Sequence, residues 1–331
     1  MNSDGHIAGA MAGRRVLVTG GTGFVGSNLL RRLSAMGARV HLLARPQSNL
    51  GRLPDAGAGL QIHAGDLGDE LALARIFDEA APDFVFHLAT PRGNDPMAWQ
   101  RMTESNVSAA LHLSAQLMRW PATPLVVAGS SLEYGPNTRP HRETDALSPV
   151  TWHGVGKAAA DMIYGQAAAS MGLKINRLRL FHVYGPWESA HRLLPASIRA
   201  AHSGQPLPFT AADIRRDWVY VGDVVDALLA AAVSPVQGEA FNIGAGVEFS
   251  NEDVVSVVEK LTGRRIALDR GAYRASPSDA PHRCADIGKA RMQLGWQPRH
   301  DLTQGVAETM AWYRKHPHVW DGDASDKPGH V

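Results

Sequence analysis

Short apolar runs punctuate the first half of the chain: "RVLVT" at 15–19, "RVHLLA" at 39–44, "LQIHA" at 60–64, "FVFHLA" at 84–89, "PLVVAG" at 124–129 and "KINRLRL" at 174–180. Their length and their content of branched and aromatic residues predict strands. Between them, "GSNLLRRLSAMG", "ELALARIFDEA", "SNVSAALHLSAQLMRW" and "GKAAADMIYGQAAASMG" are longer and repeat with helical period. Strands alternating with helices in this way predict an α/β fold built from βαβ units, a doubly wound parallel sheet covered on both faces. No internal repeat or low-complexity tract interrupts it.

After about residue 180 the pattern becomes irregular, with "YGPWESAHRLLP", "SGQPLPF" and "RGAYRASPSDAPHR" rich in Pro, Gly, Arg and His. Such segments make poor core and suit a lobe that holds a ligand. "EAFNIGAG" at 239–246 reads as a further strand, so the chain returns to the sheet before leaving it again. The expected division is a sheet domain over 14–180 plus about 222–247 and a smaller, discontinuous C-terminal lobe over about 181–221 plus 248–316. Residues 1–13 read as a loose leader and 317–331 as a frayed polar tail.

Composition narrows the function classes. Over 331 residues the formal net charge is +1, which supplies no global field to draw nucleic acid or an anionic membrane, so any anion site must be local. The single cysteine, Cys284, excludes an internal disulfide and a multi-cysteine metal site and fits a reducing, cytoplasmic setting. No apolar run approaches the roughly 20 residues of a membrane span. The histidines lack the close ligand spacing of a zinc site, so no metal is expected.

"VLVTGGTGFVGSNLL" places Gly20, Gly23 and Gly26 directly after a strand and at the mouth of a helix. Glycines there permit a tight turn, admit a pyrophosphate against the backbone and let helix and strand pack closely, while the helix N-terminus presents N–H donors. This reads as a Rossmann-type dinucleotide site that includes Thr22, Phe24 and Val25. An acid closing the second strand would bond the adenosine ribose, but "LLARPQ" offers Ala44 and Arg45. A guanidinium grips a 2′-phosphate, so NADP(H) is favoured over NAD(H), the alternative being a solvated surface arginine. Asp66 and Leu67 follow the third strand, where the Asp66 carboxylate either accepts from the adenine amino group or caps a helix.

With these motifs in place, "TGGTGFVG", "GDL", "HLA", "SNV", "GSSLEYG", "LRLFHVYGP", "RDWVYVGDV", "FNIGAG" and "LGWQP" occur in an order that resembles the extended short-chain dehydrogenase/reductase family. These are the NAD(P)-dependent epimerases, dehydratases and ketoreductases of nucleotide sugars. The resemblance covers about residues 15–315 and implies that Leu88, Ala89 and Asn106 also line the cofactor. It further implies a catalytic Ser or Thr, Tyr and Lys acting together. Ser130 and Lys157 take the outer two places, and the tyrosine position falls on His153 in "TWHGVGK". Helical spacing independently puts residues 153 and 157 one turn apart on a shared face. Gly154 and Gly156, unfavourable in a helix, signal close approach by another backbone or a cofactor.

An imidazole with an ordinary pKa of about 6.5 suits general acid–base work near neutrality, although the neighbouring ammonium disfavours imidazolium and the ring is shorter than a phenol. The alternative is a histidine that bonds substrate or backbone without moving a proton; for Ser130 it is a hydroxyl that closes a strand end. Tyr164, two turns beyond Lys157, is a poor replacement, and Tyr134 is the structural ring of the "EYG" pattern. Sugar 4,6-dehydratases of this family carry Asp-Glu after the Ser/Thr, where this chain has Ser131-Leu132, which disfavours dehydration. Glu133, by strand alternation, should face away.

For a nucleoside-diphosphate sugar the resemblance nominates Ser131, Arg216, Arg274 and His182, with Arg283 a rival to Arg274. His182 stands where an asparagine is usual. The expected activity is oxidoreduction at C4 of the sugar, as 4-ketoreductase before 4-epimerase. Its rivals are a binding protein that has lost catalysis and a reductase of a non-sugar carbonyl. A homodimer joined through a four-helix bundle is implied by resemblance.

Overall fold

A computed structural model describes residues 3–54, 59–90, 97–210, 213–273 and 281–317. The expected strands form β1 (Arg15–Thr19), β2 (Arg39–Ala44), β3 (Leu60–Ala64), β4 (Phe84–His87), β5 (Leu125–Ser130), β6 (Ile175–Leu180) and β10 (Ala240–Ile243). They make one seven-stranded sheet in the order β10-β6-β5-β4-β1-β2-β3, with every pairing parallel. The order reverses between β1 and β4, and at such a switch point the loops leaving the carboxyl ends part to form a crevice.

Alternation along the strands separates two apolar layers. Val16, Val18, Val40 and Leu42 pack with α2 (Phe24–Ala35) and α7 (Val221–Val233), while Leu17, Leu43 and Val85 pack with α3 (Glu70–Ala80), α4 (Ala98–Arg119) and α5 (Trp152–Met171). A second core lies beside the sheet. It joins α6 (Leu193–Ser203), α8 (Asn251–Thr262) and α10 (Leu302–Lys315) around Tyr184, Trp218, Val254 and Tyr313. Two small sheets complete it: β7 (His182–Tyr184), β9 (Arg215–Tyr220) and β11 (Glu248–Ser250), then β8 (Leu207–Thr210) with β12 (Leu268–Tyr273).

Two boundaries differ from expectation. The leader is not loose: Ser3–Met11 forms helix α1, whose Ile7 and fully buried Met11 join the sheet core alongside α7. Apolar residues one helical turn apart gain more from that burial than the short helix loses in chain entropy. In the C-terminal lobe, Ala285, Ile287, Ala290 of α9 (Gly288–Leu294) and Trp296 also pack into the sheet core. Trp296 Nε1 donates to the Asp223 carbonyl of α7 at 2.9 Å. The polar sequence around these residues hides an apolar face that β10 and α7 help to complete. Of the expected tail, residues 318–331 lie outside the described residues.

Candidate active site

The glycine turn after β1 is shaped by contacts that a side chain would break. Gly20 has φ +75°, and a Cβ there would run into the Leu88–Ala89 backbone that leaves β4. A Cβ on Gly26 would strike the Gly20 carbonyl, which fixes how closely α2 approaches β1. Gly23 caps α2 through backbone alone, with no side chain taking the first-turn N–H groups. A backbone cradle facing uncapped helix donors fits a dinucleotide pyrophosphate. Thr22 is half-buried there, and Phe24 and Val25 reach the second core, so the cradle sits where the two cores meet.

Around it, Ala44 is buried at the end of β2 and Arg45 is exposed. Asp66 does not cap α3, because Asp69 does so by accepting from the Ala72 N–H at 2.9 Å. Asp66 closes a turn instead, accepting from the Gly68 N–H at 2.8 Å. Leu67 packs on the core, and Leu88 N–H donates to the Thr19 carbonyl. Asn106 is buried on α4, donating to Met102 O at 2.6 Å.

At the same edge β5 ends on Ser130, which lies in register with Leu180 of β6. A 3₁₀ turn, Ser131–Glu133, follows, so strand alternation stops before Glu133. That side chain is fully buried and folds back: Glu133 Oε1 accepts the Ser130 N–H at 2.6 Å, while Ser130 Oγ accepts the Leu132 N–H at 3.1 Å. The Ser130 hydroxyl therefore closes the strand end and keeps its own proton available to donate. Ser131 is buried. Helix α5 is drawn against this turn because Gly154 presses on the Leu132 carbonyl, and Gly156 lets α4 in, with Met102 O only 3.2 Å from where its Cβ would stand. Gly154 thus answers to a backbone neighbour, and Gly156 to the α4 backbone and the Asn106 side chain together.

His153 is half-buried in the first turn of α5, which Thr151 caps by accepting the Gly154 N–H at 3.0 Å. One turn on, Lys157 is buried and donates from Nζ to the Ala128 carbonyl of β5 at 2.8 Å. Burial lowers its pKa, against the opposing pull of Glu133. Nearby His87 is held with Nδ1 2.7 Å from Thr19 Oγ1, and burial and then Lys157 push its pKa down to about 3, which keeps it neutral. Neither tyrosine replaces His153. Tyr164 is wholly buried, edge-on to His87. The Tyr134 hydroxyl donates to Asn242 Oδ1 at 2.8 Å and accepts from Arg179 at 2.7 Å.

Beyond β6, His182 leans on Trp218 with ring centroids 4.1 Å apart. Its pKa lies far below the ordinary value because of burial and the charges of Arg192, Arg216 and Arg283. The imidazole is neutral, with three guanidinium charges acting on it. Arg216 is buried on β9, and the backbone of Arg283 accepts from the neighbouring Asp217 N–H at 3.1 Å, which carries the Arg283 segment to the site. Arg274 lies outside the described residues. Arg192 escaped sequence reasoning: nothing local distinguishes it from a helix-leading surface arginine. Glu188, buried at 3.6 Å, holds it.

Residues 16–244 match the NAD dependent epimerase/dehydratase family. The chain belongs to this family. Its fold and these matches make it an enzyme of the extended short-chain dehydrogenase/reductase type. Family relatives include the dTDP-glucose 4,6-dehydratase of Xanthomonas campestris pv. campestris (strain B100), 28% identical over 90% of this chain and 92% of the relative. The UDP-glucose 4-epimerase of Lacticaseibacillus casei is 28% identical over 91% of this chain and 97% of its own. Among solved structures of similar fold, MoeE5 in complex with UDP-glucuronic acid and NAD superposes with a TM-score of 0.81 at 33% identity, covering 91% of this chain and 99% of that one. No helix among the described residues is long and apolar enough to cross a membrane.

Proposed function

We propose that this family member is a nucleotide-sugar oxidoreductase acting at C4 of the sugar, with 4-keto reduction favoured over 4-epimerisation. The observation that carries the substrate class is the guanidinium charge acting on His182 from Arg192, Arg216 and Arg283. His182 is in register with Trp218 of β9, Arg216 is buried on that strand, and the Arg283 carbonyl accepts the Asp217 N–H beside it. His182 follows by two residues the position of β6 that pairs with Ser130. A diphosphate held by the arginines would leave its sugar toward Ser130 and His153, and neutral His182 can donate to a sugar or phosphate oxygen. Arg45 at the end of β2 supports NADP(H) over NAD(H).

The Gly20, Gly23 and Gly26 turn would hold a nicotinamide dinucleotide, which would supply or accept the hydride. Ser130 would donate a hydrogen bond to the carbonyl oxygen at C4, His153 would deliver the one proton that turns that oxygen into a hydroxyl, and Lys157 would hold the ribose. The absence of an acid pair at Ser131-Leu132 removes the means of eliminating water and supports reduction. The epimerase reading is supported by the L. casei relative. Exposed Leu111 and Met118 on α4 with Met162 and Met171 on α5 support a homodimer joined across these helices.

The test pairs two substrate panels. 4-Keto-6-deoxy sugar nucleotides with NADPH should give stoichiometric loss of nicotinamide absorbance. Ordinary nucleotide sugars with NAD(P)⁺, followed by product chromatography, reveal silent epimerisation. Turnover in the second panel alone would reject the reductase.

A further inference from the structure

We infer that Glu133 is a positioning residue of the reacting end, its buried carboxylate serving as the counter-charge that keeps Lys157 an ammonium while it pins Ser130. The inference rests on the placement of His153 and Lys157 proposed above and deepens it. A phenol that loses its proton becomes negative and would itself balance a neighbouring ammonium. An imidazole is neutral or positive, so with His153 the proton carrier never offsets Lys157 and in one state adds to its charge. The compensation has to come from elsewhere in the fold.

Glu133 is the group in place to supply it. It is fully buried, and the site is built around it: a Cβ on Gly129 would stand 2.7 Å from Glu133 Oε1. Both carboxylate oxygens meet donors, the Ser130 N–H at 2.6 Å and Arg179 Nε at 3.1 Å, an arrangement that favours the ionised form. The charged groups around it come from three elements. From β6, Arg179 also binds Asp161 Oδ2 at 2.8 Å and the Tyr134 hydroxyl, and Arg177 lies 3.3 Å from Asp161 Oδ1. From α5 come Asp161, one turn after Lys157, and Lys157 itself. From β5 comes the Ser130 N–H. Burial and then Asp161 raise the pKa of Glu133 overall, to about 7, against the lowering pull of Arg179, the Ser130 N–H and Lys157, so the carboxylate is ionised on the alkaline side where Lys157 titrates. Lys157 Nζ donates to the Ala128 carbonyl at 2.8 Å and Glu133 Oε1 accepts the Ser130 N–H at 2.6 Å, two residues along the same strand, so the two charges flank one strand end. Asp161 is matched by two guanidinium groups, and Glu133 is the carboxylate that acts on Lys157 against its burial.

Cofactor affinity measured against pH reads the charge on Lys157. In the unaltered protein affinity should fall on the alkaline side as Lys157 loses its proton. Removing a neighbouring negative charge favours the neutral amine, so in Glu133→Gln the fall should move to lower pH by about one unit or more. Glu133→Asp, which keeps the charge, should restore the original position. Asp161→Asn, which also strips a carboxylate from Arg179, should lower the melting temperature without moving the fall downward. An unchanged profile in Glu133→Gln, or an equal downward move in Asp161→Asn, overturns the inference. If Glu133→Gln does not fold, NMR titration of ¹³C-labelled lysine in the unaltered protein decides. The Lys157 signal should show a second inflection where Glu133 titrates, and a single inflection overturns the inference. No alkaline fall in the unaltered protein would reject the cofactor placement, and the same NMR titration then decides the inference by itself.

Discussion

The two ends of the cleft are built by different means. At the dinucleotide end, Gly20, Gly23 and Gly26 act through backbone: a positive φ, contacts that a Cβ would break and the uncapped first turn of α2. At the end proposed for the sugar, side-chain charge dominates, with the guanidinium charges of Arg192, Arg216 and Arg283 acting on a neutral His182. A backbone site tolerates no added atom but imposes little on its neighbours' chemistry. A side-chain site can be retuned one residue at a time, and His153 and His182 both belong to the end proposed for the substrate. Substitutions at one end should therefore leave binding at the other almost intact.

The largest separation should come from His153→Phe. Turnover should fall by about 10²–10⁴-fold, the usual scale of general acid–base catalysis, with cofactor affinity nearly unchanged. Full activity in stopped-flow assays would make His153 a spacer. Gly20→Ala tests the opposite end, where positive φ and the Leu88–Ala89 backbone leave no space. Cofactor affinity by calorimetry should drop by about 10²-fold, consistent with a few kcal/mol of backbone strain. Wild-type affinity in that variant would show that the cradle yields.

Arg216→Ala should raise KM for the nucleotide sugar by about 10–100-fold, the scale of a lost hydrogen bond to a charged group, and leave the dinucleotide bound as before. An equal loss of cofactor affinity would break the separation. Arg45→Asp should invert the preference between NADPH and NADH, by about tenfold in relative Kd, because a carboxylate repels a 2′-phosphate and bonds a ribose hydroxyl. Equal affinities in both chains would leave Arg45 a surface residue.

The smallest effect sharpens the comparison by touching neither end. His300 sits with Nδ1 2.9 Å from Asp223 Oδ1 and Nε2 3.2 Å from Glu308, joining α7 to α10 across the two cores. Burial opposes its charge, but the hydrogen bond and charge of Asp223, followed by Glu308, raise its pKa overall. Its contribution is thus present below the ordinary histidine pKa and is lost as pH rises through the raised one. Denaturant melts of His300→Gln should show a deficit of about 1 kcal/mol near about pH 5.5 that shrinks toward about pH 9. A deficit independent of pH would assign the loss to packing.

Much of the sheet was legible because each strand is a short apolar run rich in branched residues: "RVLVT" and "LQIHA" became β1 and β3 with the bounds those runs suggest, and the helical period of "ELALARIFDEA" became α3. The glycine turn was legible for the same reason, since its demands fall on residues adjacent in the chain. Tertiary structure decided what depends on distant partners. Met11 is buried because α7 faces it, and Trp296 joins the sheet core because Asp223 receives its N–H. Glu133 turns inward because a 3₁₀ turn ends β5 and Arg179 waits beside it. Arg192 and Arg283, about ninety positions apart, both act on the charge state of His182. Backbone conformation is largely a property of neighbouring residues, whereas burial and charge belong to whatever the fold brings near, and those long-range encounters set the chemistry of this cleft.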